Sequence, residues 1–402
     1  MAHDAVIVDA VRTASGKGKP GGALSGVHPV DLLAAVLREL VRRNRLDPAQ
    51  VEDVIGGCVT QAGEQSLNIT RNAVLAAGFP ETVPATTVDR QCGSSQQAAA
   101  FAAQGVMAGC YDIVIAAGVE SMSRAPMFSA TGQADPYGRS LARRYPDGLI
   151  TQGISAEIIA ARWKLDRQAL DEFAARSHRL AAAATAAGWF AGEIVPVPVT
   201  QADGSSIQHE IDETIRPATT VASLAGLRPA FQGDPAGERF EEINWEITPG
   251  NSSPLTDGAA AVLIMSERMA SRLSLRPRAR FHSFSVTGDD PVLMLTGIIP
   301  ATRKVLDRAG LAIDDIDAYE VNEAFAPVPL AWLADLAADP ARLNSRGGAI
   351  ALGHPLGASG ARLLTTLVTT LEQTGGRFGL QTMCEGGGMA NATIIERLTG
   401  AT

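Results

Sequence analysis

Val88-Asp89-Arg90-Gln91-Cys92-Gly93-Ser94-Ser95 leads into an alanine-rich stretch over 94–108, and then into Asp112-Ile113-Val114-Ile115-Ala116-Ala117-Gly118. The alanine-rich stretch predicts a helix. The short unbroken apolar run predicts a strand covered by helices on both faces. Cys92 therefore stands at the turn into a helix, where the positive end of the macrodipole and free N–H groups favour thiolate over thiol.

Working outward, the chain repeats one plan. Residues 51–59 read as a strand and 68–77 as a helical stretch before the Cys92 turn. Later, 316–322 reads as the matching strand and 330–336 as helical. A glycine-rich segment then runs from 347 to 360, followed by a helix over 361–371 and a strand over 379–384. Two further strands, 259–265 and 391–396, close the halves and are suited to run antiparallel to their neighbours. Alternating strands and helices predict an α/β fold of two pseudo-repeated layered halves. The segment 119–249 has no counterpart of similar length, with helical stretches at 155–163 and 167–187. It reads as an inserted loop domain placed to hold a ligand over the chemistry. The division is 1–118 with 250–270 for the first half, 119–249 for the insertion and 271–402 for the second half.

The bulk properties narrow the function classes. The 402 residues are 46% hydrophobic and 19% charged, which suits a large packed core. A formal net charge of −9 argues against general affinity for nucleic acid. Lysine occurs only at 17, 19, 164 and 304, so arginine supplies nearly all positive charge. No basic-then-apolar leader precedes the first strand-like run, Ala5-Val6-Ile7-Val8-Asp9-Ala10-Val11. No apolar stretch reaches membrane-spanning length. Four cysteines without a leader read as reduced thiols, so the expected location is the cytoplasm and no membrane partner is expected. No Cys or Cys/His spacing suits a metal site.

Two of these thiols lie in glycine-rich segments, Cys92 and the Cys384 of Cys384-Glu385-Gly386-Gly387-Gly388. A third such segment carries Gly353-His354-Pro355. Two thiols and an imidazole on tight backbone are suited to covalent acyl transfer with proton transfer. Cys58 and Cys110 fall outside these segments and read as inert structural thiols.

With Glu120-Ser121-Met122-Ser123-Arg124-Ala125-Pro126, Gly250-Asn251-Ser252-Ser253 and Asn322-Glu323-Ala324-Phe325, these segments occur in an order and spacing that resembles the thiolases, along essentially the whole chain. Thiolases are acyl-CoA C-acyltransferases that cleave or form 3-ketoacyl-CoA. The segments around Cys92 and Cys384 look most like degradative actinobacterial members. The resemblance implies the thiolase fold, an αβαβα layering, and a ping-pong reaction in which Cys92 is acylated. It implies that His354 takes the Cys92 proton and later helps stabilise a thioester oxyanion. Cys384 is the implied second acid/base. Gly386 and Cys92 offer N–H groups to the tetrahedral intermediate, and Asn322 holds a water in the enolate-stabilising hole. Coenzyme A is implied as a substrate, with no tightly bound cofactor, and Arg216, Ser223 and Ser253 as its contacts. A homodimer or homotetramer is the implied assembly.

Some residues depart from the family pattern. Pro249 stands where alanine is common, Ser345-Arg346 where asparagine and a small residue are usual, and Glu385 where an apolar or small residue is usual. The 232–247 stretch is longer than in short-chain biosynthetic relatives. These departures bear on acyl-chain specificity, and leave an acetyl-CoA acetyltransferase as an alternative. A non-catalytic acyl-CoA-binding relative would be expected to lack one of Cys92, Asn322, His354 and Cys384. A decarboxylating ketoacyl synthase would not need the second cysteine.

Overall fold

A computed structural model of the protein describes residues 4–201 and 203–399. Its strands are β1 (Ala5–Thr13), β2 (Asp53–Gly57), β3 (Ala85–Val88), β4 (Ile113–Ser121), β5 (Thr256–Ser266), β6 (Ala279–Gly288), β7 (Ala318–Val321), β8 (Phe378–Glu385) and β9 (Met389–Arg397), besides short pairings. The helices that matter here are α1 (Pro29–Arg43), α2 (Ile69–Ala76), α3 (Ser94–Met107), α4 (Gln152–Arg162), α5 (Arg167–Ala186), α6 (Ile298–Ala309), α7 (Pro327–Leu336), α8 (Ala349–Leu352) and α9 (Leu356–Thr374).

The repeat read from the sequence is visible in the pairing. The first half runs β3-β2-β4-β5-β1 and the second β7-β8-β9-β6. In each half the first long contact is parallel (β2 with β4, β7 with β8) and the next two are antiparallel. An isolated parallel bridge, Tyr319 to Leu343, fills the place that β3 holds in the first half. The halves join where β1 meets β6, antiparallel, at Val6–Arg280 and Ile7–Ala279.

Helices α3 and α9 pack together in the centre, and α9 also touches β1, β4 and β5 of one half and β7 and β8 of the other. Every residue of α9 from Leu356 to Leu371 is buried, as expected of a helix without a solvent face. Alanine, glycine and threonine make that possible by letting backbones close up. A methyl group at Gly118 would lie 2.3 Å from the Gly357 carbonyl oxygen, and one at Gly57 2.4 Å from the Ser95 nitrogen. Helix α1 covers the far face of the first half, and α6 covers that of the second. The result is five layers, αβαβα.

Gly118→Ala is accordingly expected to destabilise the fold by about 2–3 kcal/mol through overpacking against backbone that cannot swing away. Denaturant melts of the variant would read this. An unchanged midpoint would mean that the central layer is less tightly packed than described.

Two strands escaped the sequence reading, the four-residue β3 and the long β6. In β6, Ala279, Phe281, Ser283 and Ser285 face inward while Arg280, His282, Phe284 and Val286 are more open. Its apolar signal is thus diluted by serines inside and charges outside. The inserted segment is tied to the sheet by Arg12 of β1. Its buried guanidinium donates from Nε to Glu193 at 2.7 Å and from Nη1 and Nη2 to Asp212 at 2.7 and 3.0 Å. Burial alone would raise the Asp212 carboxyl; Arg12 reverses this to a net lowering. Among the described residues no helix is long and apolar enough to cross a membrane.

Candidate active site

The turn between β3 and α3 is built to present one side chain. Gln91 adopts φ +48°, an unusual conformation for a residue with a side chain. The Ser94 hydroxyl braces it, accepting from the Arg90 N–H at 2.9 Å and donating to the Gln91 carbonyl at 2.5 Å. Gly93 then caps α3 without any side-chain bond. Cys92 consequently lies at the helix start, packed among Met122, Leu356, Leu363 and Met383.

The thiol is 4% exposed, and here the sequence expectation needs correction. Burial, then the nearby Glu385, pushes Cys92 up to about 12, against a smaller lowering from a Gln152 side-chain hydrogen bond. Loss of water is the largest influence on the thiol, so Cys92 rests as a thiol rather than a thiolate.

His354 sits between α8 and α9. The buried Glu323 carboxylate holds α8, accepting from the Ile350 N–H at 3.1 Å and from the Ser177 hydroxyl at 2.7 Å. Gly353 has φ +84°, and a methyl group there would also collide with Thr256, so glycine is required. The His354 N–H donates to Thr256 Oγ1 at 3.0 Å. The Ser359 hydroxyl spends its hydrogen on the Pro355 carbonyl at 2.9 Å, so it accepts from His354 Nδ1–H at 2.6 Å. The imidazole's lone pair is therefore on Nε2, which faces the Asn322 amide nitrogen at 3.3 Å. Burial, with Arg362 adding to it, lowers His354 to about 3, which keeps it a neutral acceptor. Asn322 is 1% exposed and its Oδ1 has no protein partner.

Glu120 fastens the start of α9 to the first half. Its carboxylate accepts from the N–H groups of Gly357 at 2.8 Å, Val59 at 3.0 Å and Thr60 at 3.0 Å. Cys384 closes β8, buried, and burial followed by the charge of Cys92 raises its thiol well above the usual range. The two thiols are thus neighbours. After Cys384 the chain turns back into β9 with Gly387 and Gly388 at φ +83° and +76°. Gly386 lies beneath the Gln91 and Gln152 side chains, which a methyl group there would approach at 3.1 and 3.4 Å.

Cys92, Cys384 and Gly386 are thus brought together where the two halves meet. His354, two residues before the Leu356 that packs in the same cluster as Cys92, pairs with Asn322. The remaining candidates lie elsewhere. Arg216 is exposed and lines a surface cleft of about 340 Å³ with Lys17, Lys19, Pro254 and Leu255. Ser223 is exposed, and its hydroxyl is engaged in a capping box with Thr220. Ser253 is half-buried, its N–H donating to the Ala324 carbonyl at 3.0 Å. Cys58 is buried as expected, whereas Cys110 is exposed at the end of α3. The reading of Cys110 as a buried inert thiol is corrected: the chain has left the core there. Gln152, at the start of α4, was not found from sequence, since a lone glutamine opening a helix in the insertion carries no signal of its own.

Similarity to known proteins runs along nearly the whole chain. Residues 5–268 match the family description "Thiolase, N-terminal domain" and residues 275–397 match "Thiolase, C-terminal domain". The chain is 50% identical to the steroid 3-ketoacyl-CoA thiolase FadA6 of Mycobacterium tuberculosis, with 98% of this chain and 94% of the relative covered. It is 47% identical to a 3-ketoacyl-CoA thiolase of Serratia proteamaculans, over 98% of this chain and 100% of the relative. The crystal structure of the Bacillus anthracis acetyl-CoA acetyltransferase superposes with a TM-score of 0.88 at 37% identity, covering 99% of both chains. The chain belongs to the thiolase family.

Proposed function

We propose that the protein cleaves 3-ketoacyl-CoA with free CoA, giving acetyl-CoA and a shortened acyl-CoA, in two half-reactions through an acyl group on Cys92. The observation that carries this reading is the adjacency of the Cys92 and Cys384 thiols, supported by a neutral His354 whose Nε2 lone pair faces Asn322. In the first half-reaction the Cys92 proton passes to His354 Nε2 as sulfur bonds to the 3-keto carbon. The C2–C3 bond then breaks, and the acetyl-CoA enolate takes a proton from Cys384. In the second, the thiol of a new CoA gives its proton to Cys384 while its sulfur bonds to the acyl carbon, and Cys92 leaves that carbon and regains its proton from His354. Because Cys92 rests as a thiol, its ionisation is coupled to attack on the carbonyl rather than completed beforehand.

Asn322 and His354 would steady the enolate oxygen, and the N–H groups of Cys92 and Gly386 the tetrahedral oxyanion. Donors of this kind are often worth about 3–4 kcal/mol each. Coenzyme A enters as a substrate with no resident cofactor. Lys17, Lys19 and Arg216 around one cleft support that surface as a place for its phosphates, with Ser223 and Ser253 as the further proposed contacts. In this reading 119–249 is the substrate-holding insertion between 1–118 with 250–270 and 271–402. The exposed Leu67, Leu75 and Phe101 favour a homo-oligomer, and a cytoplasmic setting suits four unpaired thiols.

A second reading, condensation of two acetyl-CoA to acetoacetyl-CoA, is favoured by the likeness to the acetyl-CoA acetyltransferase. Comparing kcat/KM for acetoacetyl-CoA with that for longer and ring-bearing 3-ketoacyl-CoA decides between them. The degradative reading expects the larger substrates to be preferred. A clear preference for acetoacetyl-CoA would overturn it, although each methylene in an apolar pocket changes the ratio by only about 1–3 kcal/mol.

A further inference from the structure

Glu385 follows Cys384 at the end of β8, and its carboxyl is more deeply buried than a lone carboxylate tolerates. The residue is 0% exposed and neither Oε1 nor Oε2 has a hydrogen-bond partner in the protein. It lies against the nucleophile turn: a methyl group at Gly93 would fall 2.0 Å from Oε1 and 2.8 Å from the Asn391 amide nitrogen. That amide donates to the Gly93 carbonyl at 3.1 Å instead, and the N–H groups of Gly93 and Ser94 are taken by the Arg90 and Gln91 carbonyls. Arg90, whose buried Nε is also unpartnered, acts on Glu385 by its charge without a hydrogen bond to it.

We propose that Glu385 is a positioning residue whose uncharged carboxyl lets the Cys92 turn accept negative charge, and that its ionisation shuts off acylation. The inference rests on the acyl-Cys92 reading above and adds a pH control to it. The positive end of α3 is the place where charge on Cys92 sulfur or on the tetrahedral oxygen must be stabilised during the reaction. A carboxylate on the same glycine would put a second negative charge there, in a region without water to screen it.

The charged and titratable groups facing Glu385 are Arg90 and Asp89 from the turn, Cys92 above it, and Cys384 beside it on the strand. Burial dominates and raises Glu385 to about 8; Arg90 works against this and Asp89 with it. The sign follows. Below about 8 Glu385 carries its proton and the turn is free of its charge. As pH rises through that value the carboxylate forms, adds its charge to the burial that already raises the Cys92 thiol, and opposes its ionisation.

The test is the pH profile of Cys92 acylation by acetoacetyl-CoA, followed by rapid quench and peptide mass, in the native protein, Glu385→Gln and Glu385→Leu. Titration of a single group makes the native rate fall roughly thirtyfold between about pH 7 and about pH 9.5. Both uncharged variants should lose that alkaline fall while keeping the acid side of the profile. Glutamine preserves shape and leucine preserves apolar filling, so a packing defect would alter the height of the profile and leave its alkaline midpoint in place. An alkaline limb unchanged in both variants overturns the proposal while the acyl-Cys92 reading stands. Failure of the native protein to acylate Cys92 at any pH would overturn that reading itself.

Discussion

Replacing Cys92 by serine is expected to abolish thiolysis, lowering kcat by at least about ten-thousandfold. The buried thiol already needs His354 and the incoming carbonyl to ionise, being pushed to about 12 before substrate arrives. A serine hydroxyl at the same place starts from a far weaker acidity, and a neutral His354 held near 3 is a poor partner for so large a proton-transfer deficit. The change is small in volume, so the turn braced by Ser94 should survive and binding of CoA should remain. Intact mass after mixing the native protein with acetoacetyl-CoA should show one added acetyl group, and peptide mapping should place it on Cys92. An acyl group found on Cys58 or Cys110 with Cys92 free would remove Cys92 as the nucleophile.

Cys384→Ala separates the two thiols. Acylation of Cys92 from acetyl-CoA exchanges one thioester for another and breaks no carbon–carbon bond, so it should persist. Thiolysis of acetoacetyl-CoA requires a proton for the departing enolate, and its rate should fall by about a thousandfold. Truncation removes a thiol that Cys92 itself pushes up, whereas the main influences on Cys92 are burial, Glu385 and Gln152, so the acylation rate should stay near the native one. Near-normal thiolysis by the variant would make Cys384 a structural residue and leave the enolate without a proton donor.

The parts of this site differ in how openly the sequence carried them. Cys92, His354 and Cys384 were legible because each needs special backbone around it, and glycine marks such backbone. Gly353 at φ +84° and the Gly387–Gly388 pair are what the glycine-rich segments were for. The parallel and antiparallel strand neighbours were legible where both faces are buried, as in β4 and β5, and hidden in β6, where serines occupy inward positions. The resting state of Cys92 was misread for a different reason. A helix start is visible along a chain, but the loss of water around it depends on Met122, Leu356, Leu363 and Met383, three of them remote in sequence. Gln152 and Glu385 shared that obscurity: both act on Cys92 across space.

The joint between the halves also dictates when the protein becomes an enzyme. The strand contact at that joint is short, Val6–Arg280 and Ile7–Ala279, and much of the remaining coupling runs through α9 lying on α3 and against β1, β4 and β5. Each half can satisfy most of its own hydrogen bonds before the two dock, since the long pairings β4–β5 and β8–β9 lie within single halves. Cys92 belongs to one half, whereas His354 and Cys384 belong to the other. Their contacts are among the most distant in the sequence, and closing such long loops is slow. Catalytic competence is then a late event in folding, reached after secondary structure and most of the burial are in place. Recovery of Cys92 acylation during refolding should trail the return of helical signal, making the thiol an internal clock for the docking of the two halves.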